Sequence, residues 1–188
     1  MSSRGKLFIL SAPAGTGKTT LISMLAKEFP RVCQSVSCTT RPKRRGEIDG
    51  VHYHFISQKA FEQKRAAGDF LEWAELFGNF YGTSRSFVEE ELAEGRHLFL
   101  VIDVQGAAQI KEQMPCVSIF LSPPSMGELE RRLRGRKTET PEKIAERLAR
   151  AKIEMELSKN YDYHIINDDL DTAYAALRRI VLLEENKR

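Results

Sequence analysis

Short apolar runs alternate along the chain with longer segments in which apolar residues recur at helical spacing. Such runs are typical of strands buried on both faces of a parallel sheet, and the longer segments are typical of the helices that cover it. The pattern predicts buried strands at 6–11, 32–37, 98–102, 117–121 and 163–166. It predicts helices at 19–29, at 105–113, from 125 onward, from 141 toward 159, and at 170–185. The chain is therefore predicted to be an α/β protein with a parallel sheet as its core.

The segment between about residues 37 and 96 has a different pattern. Aromatic side chains occupy alternate positions in residues 51–56, as in a half-buried strand. The pattern predicts a further strand at 70–76. Residues 57–67 and 84–94 favour helices, whereas 78–82 predict a turn-rich stretch. We expect this segment to form a mixed or antiparallel lobe that is inserted into the core.

The region after the strand at 117–121 is predicted to form a mobile helical flap. Ser125 and Glu128 have the spacing of a capping box, and Thr140 followed by Pro141 is typical of a second helix start. Between them, the basic run 131–137 contains Gly135 and is predicted to leave regular structure. We expect one domain made of a core (1–36, 97–123 and 151–188), a lobe (37–96) and a lid (124–150).

Composition excludes several classes of protein. Hydrophobic residues make up 41% and charged residues 29% of the 188 residues, which excludes a disordered or collagen-like chain. No apolar run approaches the roughly 18 residues of a membrane span, and the run at 7–10 is too short for a signal peptide. Three cysteines without metal-ligand spacing favour free thiols in a reducing compartment. We therefore expect a soluble cytoplasmic protein without a membrane partner.

The most specific local motif joins the first predicted strand to the first predicted helix. Gly15 and Gly17 allow successive backbone N–H groups to turn toward one centre, and the helix N-terminus adds partial positive charge. Lys18 supplies a full charge between the terminal phosphates of a bound ligand, and the hydroxyl of Thr19 can bind Mg²⁺. The alternative is an ordinary strand–turn–helix with a solvent-exposed lysine. The loop consists of Ala12, Pro13, Ala14, Gly15, Thr16, Gly17, Lys18 and Thr19, with Ala12 where the general pattern has glycine.

Two acidic residues have positions that suggest chemistry. Asp103 follows a buried strand, and the carboxyl ends of parallel strands form the ligand-binding edge of an open α/β sheet. It either supports Mg²⁺ or caps the following helix. Glu72 lies within an apolar strand, where a carboxylate is unfavourable unless it is paired. It either faces solvent by strand alternation or accepts hydrogen bonds from the two adjacent donors of a guanine base.

Two basic clusters lie beside glycines in segments predicted to be irregular. A charge cluster is usually a solvated surface, but arginine is also the residue that binds phosphate through two hydrogen bonds. A reaction between two nucleotides requires cations on both phosphate chains. A net charge of +3 and the lack of a nucleic-acid-binding motif argue against a nucleic-acid partner. The clusters are Arg41, Lys43, Arg44 and Arg45, and Arg131, Arg132, Arg134, Arg136 and Lys137.

Together these motifs resemble those of the guanylate kinase family, which transfers a phosphoryl group from ATP to GMP. The resemblance covers about residues 5–186. The motifs that carry it, besides the loop at 12–19, are SVSCTTRP (35–42), RRGE (44–47), GVHYHF (50–55), FLEW (70–73), GNFYGT (78–83), IDVQG (102–106), GRKTE (135–139) and INDD (166–169).

The resemblance implies a P-loop nucleoside monophosphate kinase fold and direct in-line transfer, with ATP and GMP as substrates and Mg²⁺ as cofactor. It implies that Thr19 binds Mg²⁺, that Asp103 supports the ion without binding it directly, and that Asn167 lies near the adenine. The implied GMP-binding residues are Ser37, Arg41, Arg44, Glu47, Tyr53, Glu72, Tyr81 and Thr83. The implied catalytic residues are Lys18, Arg44, Arg136 and Arg147, of which the last two lie on the lid.

Two alternative functions stay open at this point. A non-catalytic guanylate-kinase-like module of a scaffold protein binds a phosphopeptide in the same lobe, although Lys18 and Thr19 favour the enzyme. A kinase for another nucleoside monophosphate would be favoured if Glu72 did not face the base. Val101 stands where the family often has aspartate, so no role is assigned to it. The sequence does not determine the oligomeric state.

Overall fold

The computed structural model of the protein describes residues 4–135 and 140–187. Its strands are β1 (Leu7–Ser11), β2 (Val32–Gln34), β3 (Cys38–Thr39), β4 (His54–Phe55), β5 (Phe70–Leu76), β6 (Asn79–Ser84), β7 (His97–Leu100), β8 (Val117–Ser122) and β9 (Tyr163–Ile166). Its helices are α1 (Lys18–Glu28), α2 (Gln58–Ala66), α3 (Arg85–Ala93), α4 (Val104–Gln113), α5 (Met126–Gly135), α6 (Pro141–Leu157) and α7 (Leu170–Asn186).

The core is a parallel sheet in the order β2–β7–β1–β8–β9, which confirms the predicted fold class. Successive side chains of a strand point to opposite faces. Accordingly, Phe8 and Leu10 of β1 pack with α1 and α7, while Leu7 and Ile9 pack with α3 and α4. Because helices cover both faces, the central strand carries an unbroken apolar run rather than an alternating one.

The inserted lobe is a mixed sheet in the order β4–β3–β6–β5, as its pattern indicated. The prediction of a turn-rich stretch at 78–82 is wrong, because these residues belong largely to strand β6. The actual turn is the two-residue loop Phe77–Gly78. Gly82 marks close packing instead, since a Cβ there would lie 2.9 Å from the ring of Phe70.

Helices α5 and α6 pack against each other through Leu129, Leu133, Ile144 and Ala151. The prediction that the basic run 131–137 leaves regular structure is wrong for residues 131–135, since α5 continues to Gly135, and residues 136 and 137 lie outside the described residues. Ion pairs one helical turn apart, such as Arg134 with Glu130, hold its basic side chains on the helix surface. Within 4–135 and 140–187, no helix is both long and apolar enough to cross a membrane.

Candidate active site

The carboxyl ends of β2, β7 and β1 lie side by side at one edge of the core sheet. This arrangement brings the loop 12–17, segment 35–37 and Asp103 together, as expected for ligand sites in open α/β sheets. A cavity of about 940 Å³ opens here between the core edge, the lobe and α6. The predicted site residues that line it are Ala12, Ala14, Lys18, Thr19, Ser37, Arg41, Arg44, Glu47, Tyr53, Glu72, Tyr81, Asp103 and Arg147.

The loop after β1 has the backbone of a phosphate-binding loop. Gly15 and Gly17 have φ angles of 96° and 97°, a region that other residues rarely adopt. Thr16 closes a turn by donating its backbone N–H and its hydroxyl to the carbonyl of Pro13, at 3.3 and 2.7 Å. Ala12 is compatible with this loop, because Phe77 is the one non-glycine residue with positive φ in the described segments.

Asn167 stabilises this loop through a side-chain hydrogen bond. Its buried side-chain amide donates a hydrogen bond of 2.6 Å to the carbonyl of Thr16. A Cβ at Gly17 would lie only 2.7 Å from that amide nitrogen, so a larger residue there would displace the side chain of Asn167. The backbone carbonyl of Asn167 in turn accepts a hydrogen bond from Arg132 of α5. The structure therefore assigns Asn167 a contact with the phosphate loop, and its predicted place near the adenine stays a prediction.

Lys18 and Thr19 begin helix α1 and face the cavity. The ammonium of Lys18 donates hydrogen bonds to the carbonyls of Ala12 and Pro13, at 2.6 and 3.2 Å. These bonds place a positive charge beside the start of the loop, and Lys18 itself begins helix α1. Both features favour an anion at this point.

Asp103 caps helix α4, which is one of its two predicted alternatives, and its support of Mg²⁺ stays a prediction. Its Oδ1 accepts a hydrogen bond from the backbone N–H of Gly106, which caps helix α4. Its Oδ2 lies 2.7 Å from Nη2 of Arg150 on helix α6. The Nε of Arg150 also lies 3.1 Å from Glu154, so one guanidinium joins two carboxylates at the cavity wall.

Glu72 is buried, so the interpretation that it faces solvent is wrong. Its register in β5 is shifted by an irregularity between Phe70 and Glu72, and its strand is covered by helix α4. Oε1 accepts a hydrogen bond of 2.6 Å from the hydroxyl of Thr83. Oε2 lies so close to Gly106 that a Cβ there would be 2.4 Å away.

Burial raises the pKa of Glu72 to about 7. The hydrogen bonds from Thr83 act in the opposite direction, and the negative charge of Asp103 adds to the increase. A carboxyl group whose pKa is perturbed by burial in a cleft is typical of a functional site. Here it sits where a ligand with hydrogen-bond donors would stabilise its ionised form.

Arg41 and Arg44 of the first basic cluster line the same cavity as the phosphate loop, whereas Lys43 and Arg45 are not among its lining residues. Arg41 makes two hydrogen bonds to the carboxylate of Glu47, at 2.7 and 3.0 Å, and its guanidinium carbon lies 5.4 Å from the ring centre of Tyr53. The rings of Tyr53 and Tyr81 are in contact. The hydrogen bonds from Arg41 lower the pKa of Glu47, which remains ionised and orients the arginine.

The second basic cluster divides into two groups. Arg131 and Arg134 pair with Glu128 and Glu130 on their own helix and have side chains that are 75% and 56% exposed, as in a solvated surface. Arg132 pairs with Glu128 and also donates to the carbonyl of Asn167. The predicted catalytic Arg136 lies outside the described residues, as does Lys137.

Several cavity residues were given no role by the sequence analysis, among them Arg150, Glu154, Phe77 and Ser35. Arg150 and Glu154 follow Arg147 by three and seven positions on α6, so helical spacing would have placed them on the same face. Phe77 lies at a hairpin tip, where no sequence pattern points to function. Ser35 is buried at the cavity wall, and its hydroxyl has no hydrogen-bond partner among residues 4–135 and 140–187.

The fold and the site together define a class. A phosphate loop at the edge of a parallel sheet, facing a second arginine-rich surface on an inserted lobe, is the arrangement of a P-loop nucleoside monophosphate kinase. The sequence model of the family "Guanylate kinase" matches residues 4–184. The chain belongs to the guanylate kinase family, whose members are ATP:GMP phosphotransferases.

Similar proteins support this assignment over nearly the whole chain. A guanylate kinase of Protochlamydia amoebophila is 51% identical over 98% of this chain and 93% of its own length. A guanylate kinase of Vibrio parahaemolyticus is 53% identical over 98% of this chain and 92% of its own length. The crystal structure of guanylate kinase from Anaplasma phagocytophilum has a TM-score of 0.81 at 36% identity and covers 98% of this chain and 88% of that one. The expected family and fold are thereby confirmed.

Proposed function

We propose that this chain transfers the γ-phosphoryl group of ATP to GMP or dGMP in a Mg²⁺-dependent reaction, and so recycles GMP in purine nucleotide metabolism. The observation that carries the proposal is the placement of Glu72, a buried carboxylate, in the same cavity as the phosphate loop. The loop suits any nucleoside triphosphate, whereas the carboxylate selects a base with adjacent donors.

The ATP phosphates are assigned to the loop and to Lys18. Their charge is proposed to attract the ammonium, which donates to the carbonyls of Ala12 and Pro13 in this structure. The N–H groups of the loop and of the first turn of α1 complete the cradle. Asn167 holds the loop in this conformation through the carbonyl of Thr16.

The GMP phosphate is assigned to Arg41, Arg44, Tyr53 and Tyr81. Arg41 is already oriented by its two hydrogen bonds to Glu47, and Glu47 also accepts from the backbone N–H of Arg44. A guanidinium held in this way loses little conformational freedom when it binds phosphate. The anchored phosphate then places one of its oxygens toward the γ-phosphorus of ATP.

The guanine base is assigned to Glu72, with Ser37 and Thr83 beside it. Guanine presents N1–H and an N2 amino group side by side, and one ionised carboxylate accepts from both. Since the pKa of Glu72 is about 7, guanine binding favours the charged form and releases protons near that pH. These contacts address the base and the phosphate, so the missing 2′-hydroxyl of dGMP removes none of them.

The oxygen groups at the loop suit Mg²⁺. The Thr19 hydroxyl lies exposed at the cavity beside the loop, and Asp103 provides a carboxylate. Mg²⁺ prefers oxygen ligands and, in kinase sites, takes few of them from the protein and the rest from substrate phosphates and water. The ion supplies charge neutralisation to the triphosphate when it is bound.

The transfer itself requires positioning and positive charge rather than a covalent intermediate. The bond between the β–γ bridging oxygen and the γ-phosphorus breaks as a GMP phosphate oxygen forms the new bond. Arg147 of α6 lines the cavity and is proposed to stabilise the transferring group, and Arg136 is proposed to act beside it when the lid (124–150) excludes water. The three cysteines are free thiols, which suits the cytoplasm as the proposed location.

ADP release measured with GMP, dGMP, AMP, UMP and CMP tests the proposal. We expect turnover with GMP and dGMP and little with the other three. In Lys18→Ala, turnover is expected to disappear while GMP affinity stays within a few-fold, because Lys18 is assigned to the ATP side. The lack of turnover with all five acceptors would instead favour the phosphopeptide-binding alternative, and preference for another acceptor would remove Glu72 as the base-binding group.

A further inference from the structure

The loop between β5 and β6 has an unusual composition. Phe77 and Gly78 are its only two residues, with φ angles of 52° and 73°, between the paired residues Leu76 and Asn79. Two-residue hairpin loops with positive φ at both positions strongly prefer Asn-Gly or Asp-Gly. A bulky residue in this conformation is a genuine outlier, and strain of this kind is concentrated at functional sites.

The ring of Phe77 contacts the other side of the cavity. Its centre lies 5.4 Å from the guanidinium carbon of Arg147 and 5.9 Å from that of Arg150, both on helix α6. Cations within about 6 Å of an aromatic ring centre are attracted by its electron-rich face. The side chain is 44% exposed, so packing in the hydrophobic core does not explain its presence.

Arg150 is also held by two carboxylates. Its guanidinium pairs with Asp103 at the core edge and with Glu154 on α6. The ring of Phe77 therefore completes a connection from the lobe hairpin, through Arg150, to the carboxylate beside the phosphate loop, and it contacts Arg147 one helical turn away. Such a connection couples the position of the lobe to the position of the α6 arginines.

We propose that Phe77 is a positioning residue, which uses its ring to hold Arg147 and Arg150 over the cavity while GMP is bound in the lobe. The inference rests on the proposed role of Arg147 at the transferring phosphoryl group. It explains why a strained aromatic residue occupies a turn position that asparagine would fill without strain. A purely structural hairpin would gain stability from that replacement.

Phe77→Asn separates strain from function, because asparagine suits the loop but lacks the ring. We expect Tm to rise by about 3 °C, since relief of left-handed strain stabilises the hairpin. We expect kcat to fall about fivefold, with the KM for GMP changed less than twofold, because the lost cation–ring contacts act on the arginines. The side-chain Nε–H signals of Arg147 and Arg150 are expected to shift in an NMR spectrum. Phe77→Tyr retains the ring and should restore kcat.

Two comparisons complete the experiment. Arg65→Gln removes a similar contact between Arg65 and Trp73 on the same lobe, at 4.8 Å, and should leave kcat unchanged. In an Arg147→Ala, Arg150→Gln background, Phe77→Asn should have no further effect on kcat, since both partners are gone.

Each other outcome contradicts the inference in a distinct way. A wild-type kcat in Phe77→Asn, with kcat reduced in Arg147→Ala, would overturn the role of Phe77 and leave the proposed role of Arg147 intact. A wild-type kcat in Arg147→Ala would overturn both the role of Phe77 and the proposed role of Arg147. A fall in Tm together with kcat in Phe77→Asn, or an equal loss of kcat in the doubly substituted background, would mean that Phe77 acts only through hairpin structure.

Discussion

The hydroxyl of Thr83 donates a hydrogen bond of 2.6 Å to Oε1 of Glu72, and both side chains are buried. The partners come from neighbouring strands, β6 and β5, which pair at this position. The bond holds Oε1, while Oε2 lies against Gly106. A carboxylate held in this way can accept two parallel hydrogen bonds only from a ligand of matching geometry, which makes Glu72 the most informative residue to change.

Glu72→Gln is expected to impair the use of GMP selectively. An amide of the same shape keeps one acceptor and presents an NH₂ donor to a guanine donor. Sites built to pair a polar edge discriminate by about 10⁴-fold when pairing fails. We expect a smaller loss, on the order of 10²-fold in kcat/KM for GMP, because Ser37 and Thr83 remain and water adapts.

The KM for ATP should hardly change in Glu72→Gln, and AMP should improve relative to GMP, because adenine has an acceptor at N1. Steady-state kinetics with both acceptors measure these effects. Glu75→Gln, on an exposed position of the same strand, is the matched control. A wild-type kcat/KM for GMP in Glu72→Gln would show that another group binds the base.

The pH dependence of stability should report the burial of Glu72. Its pKa is about 7 in the folded protein against 4.5 for an ordinary glutamate, so the folded state holds more protons between these values. The contribution of Glu72 to the free energy of unfolding is therefore complete below pH 4.5 and is lost as pH rises through 7. The total loss is about 3 kcal/mol.

Urea unfolding of wild type and Glu72→Gln across this range measures that contribution, because the other titrating groups cancel in the difference. Relative to wild type, the variant should gain about 3 kcal/mol between about pH 4.5 and pH 8. Glu75→Gln should show no such change. A pH-independent difference for Glu72→Gln would mean that the carboxyl group is not desolvated in solution.

Asn167→Ala distinguishes bracing of the phosphate loop from contact with the adenine. Because its amide donates a hydrogen bond to the carbonyl of Thr16, we expect the KM for ATP to rise about tenfold. This factor corresponds to the free energy lost when one buried hydrogen bond is removed and its acceptor is left unsatisfied. The loss should be equal with CTP as donor, since the loop binds phosphates and not the base. A loss confined to ATP would favour adenine contact, and Asp168→Asn, at an exposed neighbour, is the control.

Arg147→Ala is expected to lower kcat more than it raises either KM, because its charge is required most as the phosphoryl group is transferred. Arginine contacts of this kind contribute about 10³-fold or more. The same result is expected for Arg136→Ala, outside the described residues. Arg134→Gln, which removes only a surface pair with Glu130, should be neutral. An unchanged kcat in both Ala variants would make the second basic cluster a solvated surface.

The core elements could be predicted because their patterns are local. A parallel strand covered by helices on both sides needs a continuous apolar run, and β1, β8 and β9 were predicted to within one residue at each end. The phosphate loop could also be predicted, since its two left-handed glycines and its lysine are adjacent in the chain. The prediction for 78–82 failed because glycine near aromatic residues indicates a turn as well as a close approach, and only packing against Phe70 distinguishes them.

The sequence by itself determined the fold class, the phosphate loop and the set of residues that match the family's motifs, because backbone conformation and side-chain type are properties of short segments. Tertiary structure decided what each of those residues contacts. The burial of Glu72 depends on α4 crossing its strand, the two contacts of Asp103 depend on Arg150 from a helix 47 positions away, and Asn167 meets Thr16 across 151 positions. Hydrogen bonds and desolvation depend on distances in space. For residues far apart in the chain, those distances are set only when the helices pack on the sheet.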